Sequence, residues 1–179
     1  MEITFTIINA ILTAIAFGIL ATWIYLATYV VKSLKQSPKL DSYGKSAITR
    51  KFPKVSIILP ARNEEKHIAK CLDSLLNQDY PTFEIIAVND SSTDRTKVIM
   101  QQYAARDPRI LIVDLVSKPE GWAGKNWACF QGYLKSTGDV LLFTDADTVH
   151  LPSTMSLSIK HLIFENLDAL TAIPKLLSK

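Results

Sequence analysis

Cysteine is scarce in this chain: Cys71 and Cys129 are the two among 179 residues. Both fall on helical patterns among apolar neighbours, which marks them as buried free thiols of a reducing compartment and excludes a disulfide-stapled secreted scaffold. No cysteine–histidine spacing suits zinc, and His67, His150 and His161 are too scattered to form a ligand set. The glycine-rich nucleotide signatures are also missing. No G-x-G-x-x-G follows the first predicted strand and no G-x-x-x-x-G-K-[ST] occurs anywhere, which argues against a dinucleotide oxidoreductase and a P-loop NTPase. Charge is absent over the 29 positions from Ile3 to Val31, and no internal repeat or low-complexity tract appears.

That uncharged run is long enough for a helix to span the hydrocarbon core with length to spare. It exceeds the apolar part of a signal peptide and no basic residue precedes it, so residues 1–31 read as an uncleaved anchor. The alternative, a buried core helix, is disfavoured because helices inside soluble domains rarely run so far without a charge. Trp23, Tyr25 and Tyr29 lie towards its far end, where an aromatic belt belongs. Residues 32–53 read as a basic juxtamembrane linker. From Lys32 to Lys54, seven basic residues face the single acid Asp41, a net of +6, whereas only Glu2 precedes the anchor. The positive-inside rule then expects a single-pass protein of the cell membrane with its C-terminal domain in the cytoplasm. Residues 55–179 carry 13 basic and 15 acidic side chains, a net of −2. The positive excess therefore belongs beside anionic lipid head groups and gives no reason to expect nucleic acid as a partner.

From residue 54 to residue 179, apolar strands alternate with amphipathic helices. Val55–Leu59 is a first buried strand, stopped by Pro60. Ile68, Cys71, Leu72, Leu75 and Leu76 repeat at helical steps, and Phe83–Val88 is a second strand. Ser91 and Asp94 have the spacing of a capping box for a helix lined by Val98, Ile99 and Tyr103. A third strand over Ile110–Val116 precedes a helix from Lys125 to Ser136, closed by Gly138. A fourth strand covers Val140–Thr144, a helix Ser153–Glu165, and a last strand Ala169–Ile173. Such βα alternation expects the α/β class, with a mainly parallel sheet and helices on both faces.

Leu141-Leu142-Phe143 runs straight into Thr144-Asp145-Ala146-Asp147. Side chains alternate along a strand, so Asp145 and Asp147 point the same way. Two acids on one side at the end of a buried strand are costly unless a cation or a proton neutralises them. A divalent metal shared with a phosphate is one reading, and two solvated acids opening a loop is the other. Pro60-Ala61-Arg62-Asn63-Glu64 and Asn89-Asp90 follow the first two strands, so a parallel sheet brings all three segments to one crevice. Lys125 opens a helix, where a basic residue opposes the dipole; this suggests a nearby anion, or else a solvated lysine.

The ordered motifs Val55–Glu64, Val88-Asn89-Asp90-Ser91-Ser92-Thr93-Asp94 and Asp145-Ala146-Asp147 together resemble glycosyltransferase family 2, whose catalytic domain has the Rossmann-like GT-A fold. Gly121-Trp122-Ala123-Gly124-Lys125-Asn126-Trp127-Ala128 is similar to membrane-anchored members that glycosylate lipids, of the hopene-associated, carotenoid-acid and ceramide types. The resemblance implies a nucleoside-diphosphate sugar donor, a UDP-sugar foremost, with a lipid or glycan acceptor. It implies that Pro60, Arg62 and Glu64 hold the nucleoside, that Asp90 binds the base edge and that Lys125 meets the donor phosphate. Asp145 would help bind the donor, while Asp147, with Asp145, would ligate Mg²⁺ or Mn²⁺. The ordinary roles of these residues are helix-start and turn positions, and Asp94 reads as a cap rather than a ligand. Trp122 and Trp127 either flank a sugar or lipid acceptor or pack in the core.

The family inverts at the anomeric carbon by direct displacement, with a carboxylate base on the acceptor. Glu165 and Asp168 are the sole acids after Asp147, and neither matches the expected base motif, so the catalytic base is unassigned. The chain reads as an anchor plus a donor-binding domain incomplete at its C-terminus. Two rivals stand beside this. Asp145-Ala146-Asp147-Thr148 literally fits the D-x-D-x-T of haloacid-dehalogenase-type phosphatases, though it lies far from a domain start. A membrane-tethered donor-binding or interaction subunit without turnover is the other. The charge asymmetry yields a first prediction: protease treatment of intact spheroplasts leaves a C-terminal tag uncut, and cleavage without permeabilisation reverses the topology.

Overall fold

A computed structural model of the chain describes residues 2–36 and 52–172, which belong to two separate units. The first is a single helix, α1 (Glu2–Gln36). Its Glu2–Ser33 stretch has a mean hydropathy of 2.2 and is long and apolar enough to cross a membrane. Thr6, Thr13, Thr22 and Thr28 each donate their hydroxyl to the carbonyl four residues back, at 2.7–3.0 Å. Those polar groups are thus satisfied without water, as hydrocarbon requires. The helix continues past Val31, so Lys32 and Lys35 stand on it rather than in a linker, at the end where the dipole favours cations. The remainder of the predicted linker up to residue 51 lies outside the described residues.

In the second unit β1 (Val55–Ala61), β2 (Phe83–Asp90), β3 (Ile110–Leu115) and β4 (Val140–Phe143) form one sheet in the order β3-β2-β1-β4. All pairings are parallel, with Ile57 between Ile85 and Leu142. β1 and β2 are near-continuous apolar runs because both faces are covered. On one face Ile57, Leu59, Ile85 and Ala87 pack with residues of α2 (Ile68–Leu76), α3 (Thr96–Ala104) and α5 (Thr154–Phe164). On the other, Ile58, Ile86 and Val88 meet Ala128 of α4 (Gly124–Tyr133). The α/β reading with helices on both faces holds.

Several boundaries differ from those expected, each for a physical reason. Pro60 lies inside β1 and does not stop it. Thr144 N–H donates to the Ile58 carbonyl at 3.2 Å, so by parallel-sheet alternation the peptide of residue 60 also turns towards β4. β4 ends at Phe143, leaving no ladder bond for proline to lose. β4 is not a buried strand but an edge, with Leu141 and Phe143 exposed. Ser91 does not cap α3; its hydroxyl donates to the Leu115 carbonyl at 2.8 Å. Thr96 and Met100, not Val98, form the buried stripe of that helix. Residues 169–172 form no strand, and Ile173 lies outside the described residues. The helix before Gly138 ends at Tyr133, and Gly138 serves a close approach instead: an added Cβ would fall 2.7 Å from Lys54 O and Ser56 N.

That approach belongs to a polar clamp at the amino end of the sheet. Glu84 Oε1 accepts from Ser56 Oγ at 2.6 Å and from Thr137 N–H at 2.8 Å, and Oε2 accepts from Lys54 Nζ at 2.9 Å. Burial alone would raise the Glu84 pKa, but these hydrogen bonds outweigh it and bring the carboxyl down from 4.5 to about 2. A pKa depressed on folding stabilises the protein above the unfolded value and loses that contribution as pH falls through the folded one. The clamp should therefore contribute on the order of 2 kcal/mol at neutral pH, lost between about pH 4.5 and 2. Urea unfolding of the full chain in detergent should show this fall, and Glu84→Gln should both lower neutral stability and flatten the profile in that window.

Candidate functional site

At the carboxyl edge of the sheet the β1–α2 and β2–α3 turns are stitched to each other. Asn63 (φ 56°) and Ser91 (φ 53°) occupy the left-handed region that reverses the chain at each strand exit. Asn63 Oδ1 accepts from Thr93 N–H at 2.8 Å, while Asn63 N–H donates to Ser92 Oγ at 3.1 Å. Glu64 N–H donates to Thr96 Oγ1 at 2.7 Å and Glu65 N–H to Asp94 Oδ2 at 3.1 Å. Asp94 Oδ1 also accepts from Thr96 N–H at 2.9 Å, so Asp94 is a cap for two elements. These reciprocal bonds satisfy backbone donors that the two helix starts leave open.

Asp90 ends β2 and is 8% exposed. Arg62 Nη1 lies 3.7 Å from its Oδ2. Gly124 opens α4 so close to this carboxylate that an added Cβ would sit 3.1 Å from Oδ2. The acid thus abuts the positive end of a helix dipole. Glu64 is turned away from this pair, with Oε2 3.0 Å from Nδ1 of His67, and Pro60 lies one strand position before Ala61.

Asp145 and Asp147 follow β4 with exposed side chains, while Thr144 and Ala146 are buried. Burial thus alternates past the strand end, although Ala146 and Asp147 already belong to a turn. Lys125 Nζ donates to Asp145 Oδ1 at 2.6 Å. That hydrogen bond raises the lysine pKa above its ordinary value against the effect of burial, and the charge of Asp147 adds to it. Both acids also bear on Cys71: burial first, then Asp147 and Asp145, push its thiol up to about 12. Asp145 thus touches both Lys125 and Cys71, and the charge of Asp147 bears on both. Cys71 Sγ donates to the Asp145 carbonyl at 3.6 Å, and Thr148 N–H to the same carbonyl at 3.2 Å. Thr144 Oγ1 is 2.8 Å from Nε2 of His150, whose N–H donates to Ser74 Oγ at 3.1 Å. Burial lowers the His150 pKa, and its ring and backbone N–H tie Thr144, just before the two acids, to α2. No sequence signal singled out His150, because its partners come from β4 and α2.

Among the described residues no three His, Cys, Asp or Glu side chains form a metal-ligand group. Two exposed carboxylates two residues apart nevertheless suit a hard cation that takes its other ligands from phosphate oxygens and water. The site brings Arg62 to Asp90 and Lys125 to Asp145, and adjacent residues Gly124 and Lys125 join the two pairs. Trp122 and Trp127 join neither core cluster; they stack with Phe130 on the outside of α4.

The similarities to known proteins agree with this geometry. Residues 56–175 match the family described as Glycosyl transferase family 2. A 4,4'-diaponeurosporenoate glycosyltransferase of Staphylococcus aureus is 40% identical over 98 residues, 54% of this chain and 24% of that protein. The chain thus matches about a quarter of that relative's length. Among solved structures, S. aureus TarS 1-349 in complex with UDP-GlcNAc superposes with a TM-score of 0.55 and 28% identity over 63% of this chain and 32% of its own. The mannosyltransferase PcManGT from Pyrobaculum calidifontis, in complex with GDP-Man and Mn²⁺, gives 0.60 and 26% over 77% of this chain and 39% of its own. The sheet and its helices are those of the GT-A fold. Three βα units precede Asp145, which leaves the phosphatase reading without support. With a family match over residues 56–175, two thirds of the chain, the chain belongs to glycosyl transferase family 2.

Proposed function

We propose that this chain binds a nucleoside-diphosphate sugar for transfer to a lipid or glycan acceptor at the cytoplasmic face of a membrane. The observation that carries the reading is the convergence of Lys125, Asp145 and Asp147 beside the Arg62–Asp90 pair. Transfer breaks the bond from the anomeric carbon to a diphosphate oxygen, and negative charge grows on the leaving group. Lys125 offers a compact positive charge to that oxygen. Its present partner Asp145 holds the ammonium protonated and in place, so the lysine meets the phosphate already charged. Mg²⁺ or Mn²⁺ on Asp147 and Asp145 would supply further charge stabilisation to the diphosphate. Asp90 is placed to accept from the edge of a base, with Arg62 beside it, and Pro60 and Glu64 border the nucleoside.

Support for the donor comes from the solved neighbours, one bound to UDP-GlcNAc and one to GDP-Man with Mn²⁺. A UDP-sugar is the favoured donor here. A lipid acceptor is favoured by the carotenoid-acid substrate in the name of the S. aureus relative and by α1, long enough to anchor the chain in a bilayer. Inversion by direct displacement needs a base on the acceptor. Glu165 caps the end of α5 and Asp168 follows it, and neither forms a side-chain hydrogen bond or ion pair among the described residues. In this reading residues 54–179 are the donor-binding domain, and the base on the acceptor is not assigned to either acid.

Calorimetry of the full chain in detergent, titrated with UDP and GDP with Mn²⁺ or chelator, tests the donor site. Binding should require the cation, Asp147→Asn should remove the metal-dependent part while leaving the circular dichroism unchanged, and Lys125→Ala should weaken binding about tenfold, the scale of one charge-assisted contact. Nucleotide binding indifferent to chelator would overturn the metal role. Turnover is a separate expectation. General-base assistance contributes about 10²–10⁴-fold, so the membrane-embedded chain with labelled UDP-sugar and lipid extract should give at most slow sugar hydrolysis. Robust glycolipid formation would assign the base to a residue of this chain, Glu165 or Asp168 foremost.

A further inference from the structure

α4 is built with its small residues inward and its large ones outward. Gly124, Ala128 and Gly132 recur every four positions and face Asp90, Ile58 and Val88. A Cβ on Gly132 would fall 2.6 Å from Cγ2 of Ile58, so nothing larger fits there. The outer side carries a chain of rings. Trp122 packs on Trp127 and on Phe130 with centroids 5.2 Å apart in both cases, and Phe130 on Tyr133 at 6.2 Å. Trp122, Phe130, Tyr133 and Leu134 are 38%, 37%, 49% and 56% exposed. A helix bordered by water normally places charges on that side. Here the buried indole N–H of Trp127 has no acceptor among the described residues, and its ring is held edge-on by Trp122 and at a tilt by Phe130.

We propose that this aromatic face of α4 is a lipid-surface contact that lays the second unit against the bilayer interface. Three observations select a membrane over other occupants. Trp and Tyr combine an apolar ring with a polar tip, the chemistry of the head-group boundary. Basic residues flank the rings: Lys118 and Lys135 stand on either side, and residues 116–138 sum to +2 in a domain that is −2 from 55 to 179. A net positive charge beside the rings suits contact with anionic lipid. Finally, the same chain carries a membrane-length helix, so a tethered contact is favoured by effective concentration even when weak by itself. One consequence concerns the crevice. Trp122 lies three residues before Lys125 in sequence, so docking by this face brings the mouth of the site to the lipid surface. The proposal holds whichever nucleotide the crevice takes.

The test uses the full chain with Trp23→Phe, so that emission reports Trp122 and Trp127, reconstituted in bilayers of phosphatidylcholine and phosphatidylglycerol. Lipids brominated near the head-group end of the acyl chain should quench that emission. Tyr133→Glu with Leu134→Glu should abolish the quenching while leaving circular dichroism and the thermal transition unchanged. Should that pair disturb the fold, Lys118→Glu with Lys135→Glu should reduce quenching in the anionic bilayer. Emission untouched by brominated lipid, or quenching that survives these substitutions, overturns the proposal. A concentration-dependent blue shift without quenching also overturns it, in favour of a second copy covering the face.

Discussion

Everything at the crevice depends on β1 having a parallel partner on each side. The chain winds from β1 to β2 to β3 in one direction and must then cross back over both to place β4 against the free side of β1. Right-handed crossovers put α2 and α3 on one face for the outward moves and α4 on the other for the return. The reversal of strand order between β1 and β4 leaves a gap above their carboxyl ends, which is where ligands bind in open α/β sheets. Asp90, Arg62, Asp145 and Asp147 stand around that gap because their strands end there.

α4 is the element on which the separate parts of the site are mounted. Its first residue, Gly124, lets the helix start abut the carboxylate of Asp90, and its second, Lys125, reaches Asp145 from the other side of β1. Gly132 admits the helix to the sheet at a distance no larger side chain permits. Substituting either glycine would displace the helix end that carries the lysine. Packing and charge placement are one problem here, and the bulk excluded from the inner side appears on the outer side as the ring cluster.

The edge position of β4 shapes the chemistry of its exit. Its burial alternates, with Val140 and Leu142 turned inward and Leu141 and Phe143 outward. The same alternation carried through Thr144 and Ala146 exposes Asp145 and Asp147 together. A strand covered on both faces would have to bury both acids of such a pair at a large desolvation cost. The turn beyond is held by Thr144, His150 and Ser74 rather than by a further strand.

By itself the sequence determined the membrane-length helix, the parallel α/β class, the alternating burial that leaves Asp145 and Asp147 exposed, and the capping role of Asp94. Each is a local property: an unbroken apolar run, a run length, a period of two, an acid two residues before a helix. It could not show that Pro60 continues a strand, because that depends on where β4 stops. Nor could it show that Lys125 pairs with Asp145, that Asn63 and Ser91 stitch two turns together, or that His150 ties Thr144 to α2. The predicted strand over residues 169–173 does not form over its described residues 169–172, and the aromatic face of α4 was legible only as tryptophans near a motif. Periodicity states which side of an element is buried, whereas the partner across a crevice is chosen by the crossover that brings distant strand ends together, and that choice exists only in the folded chain.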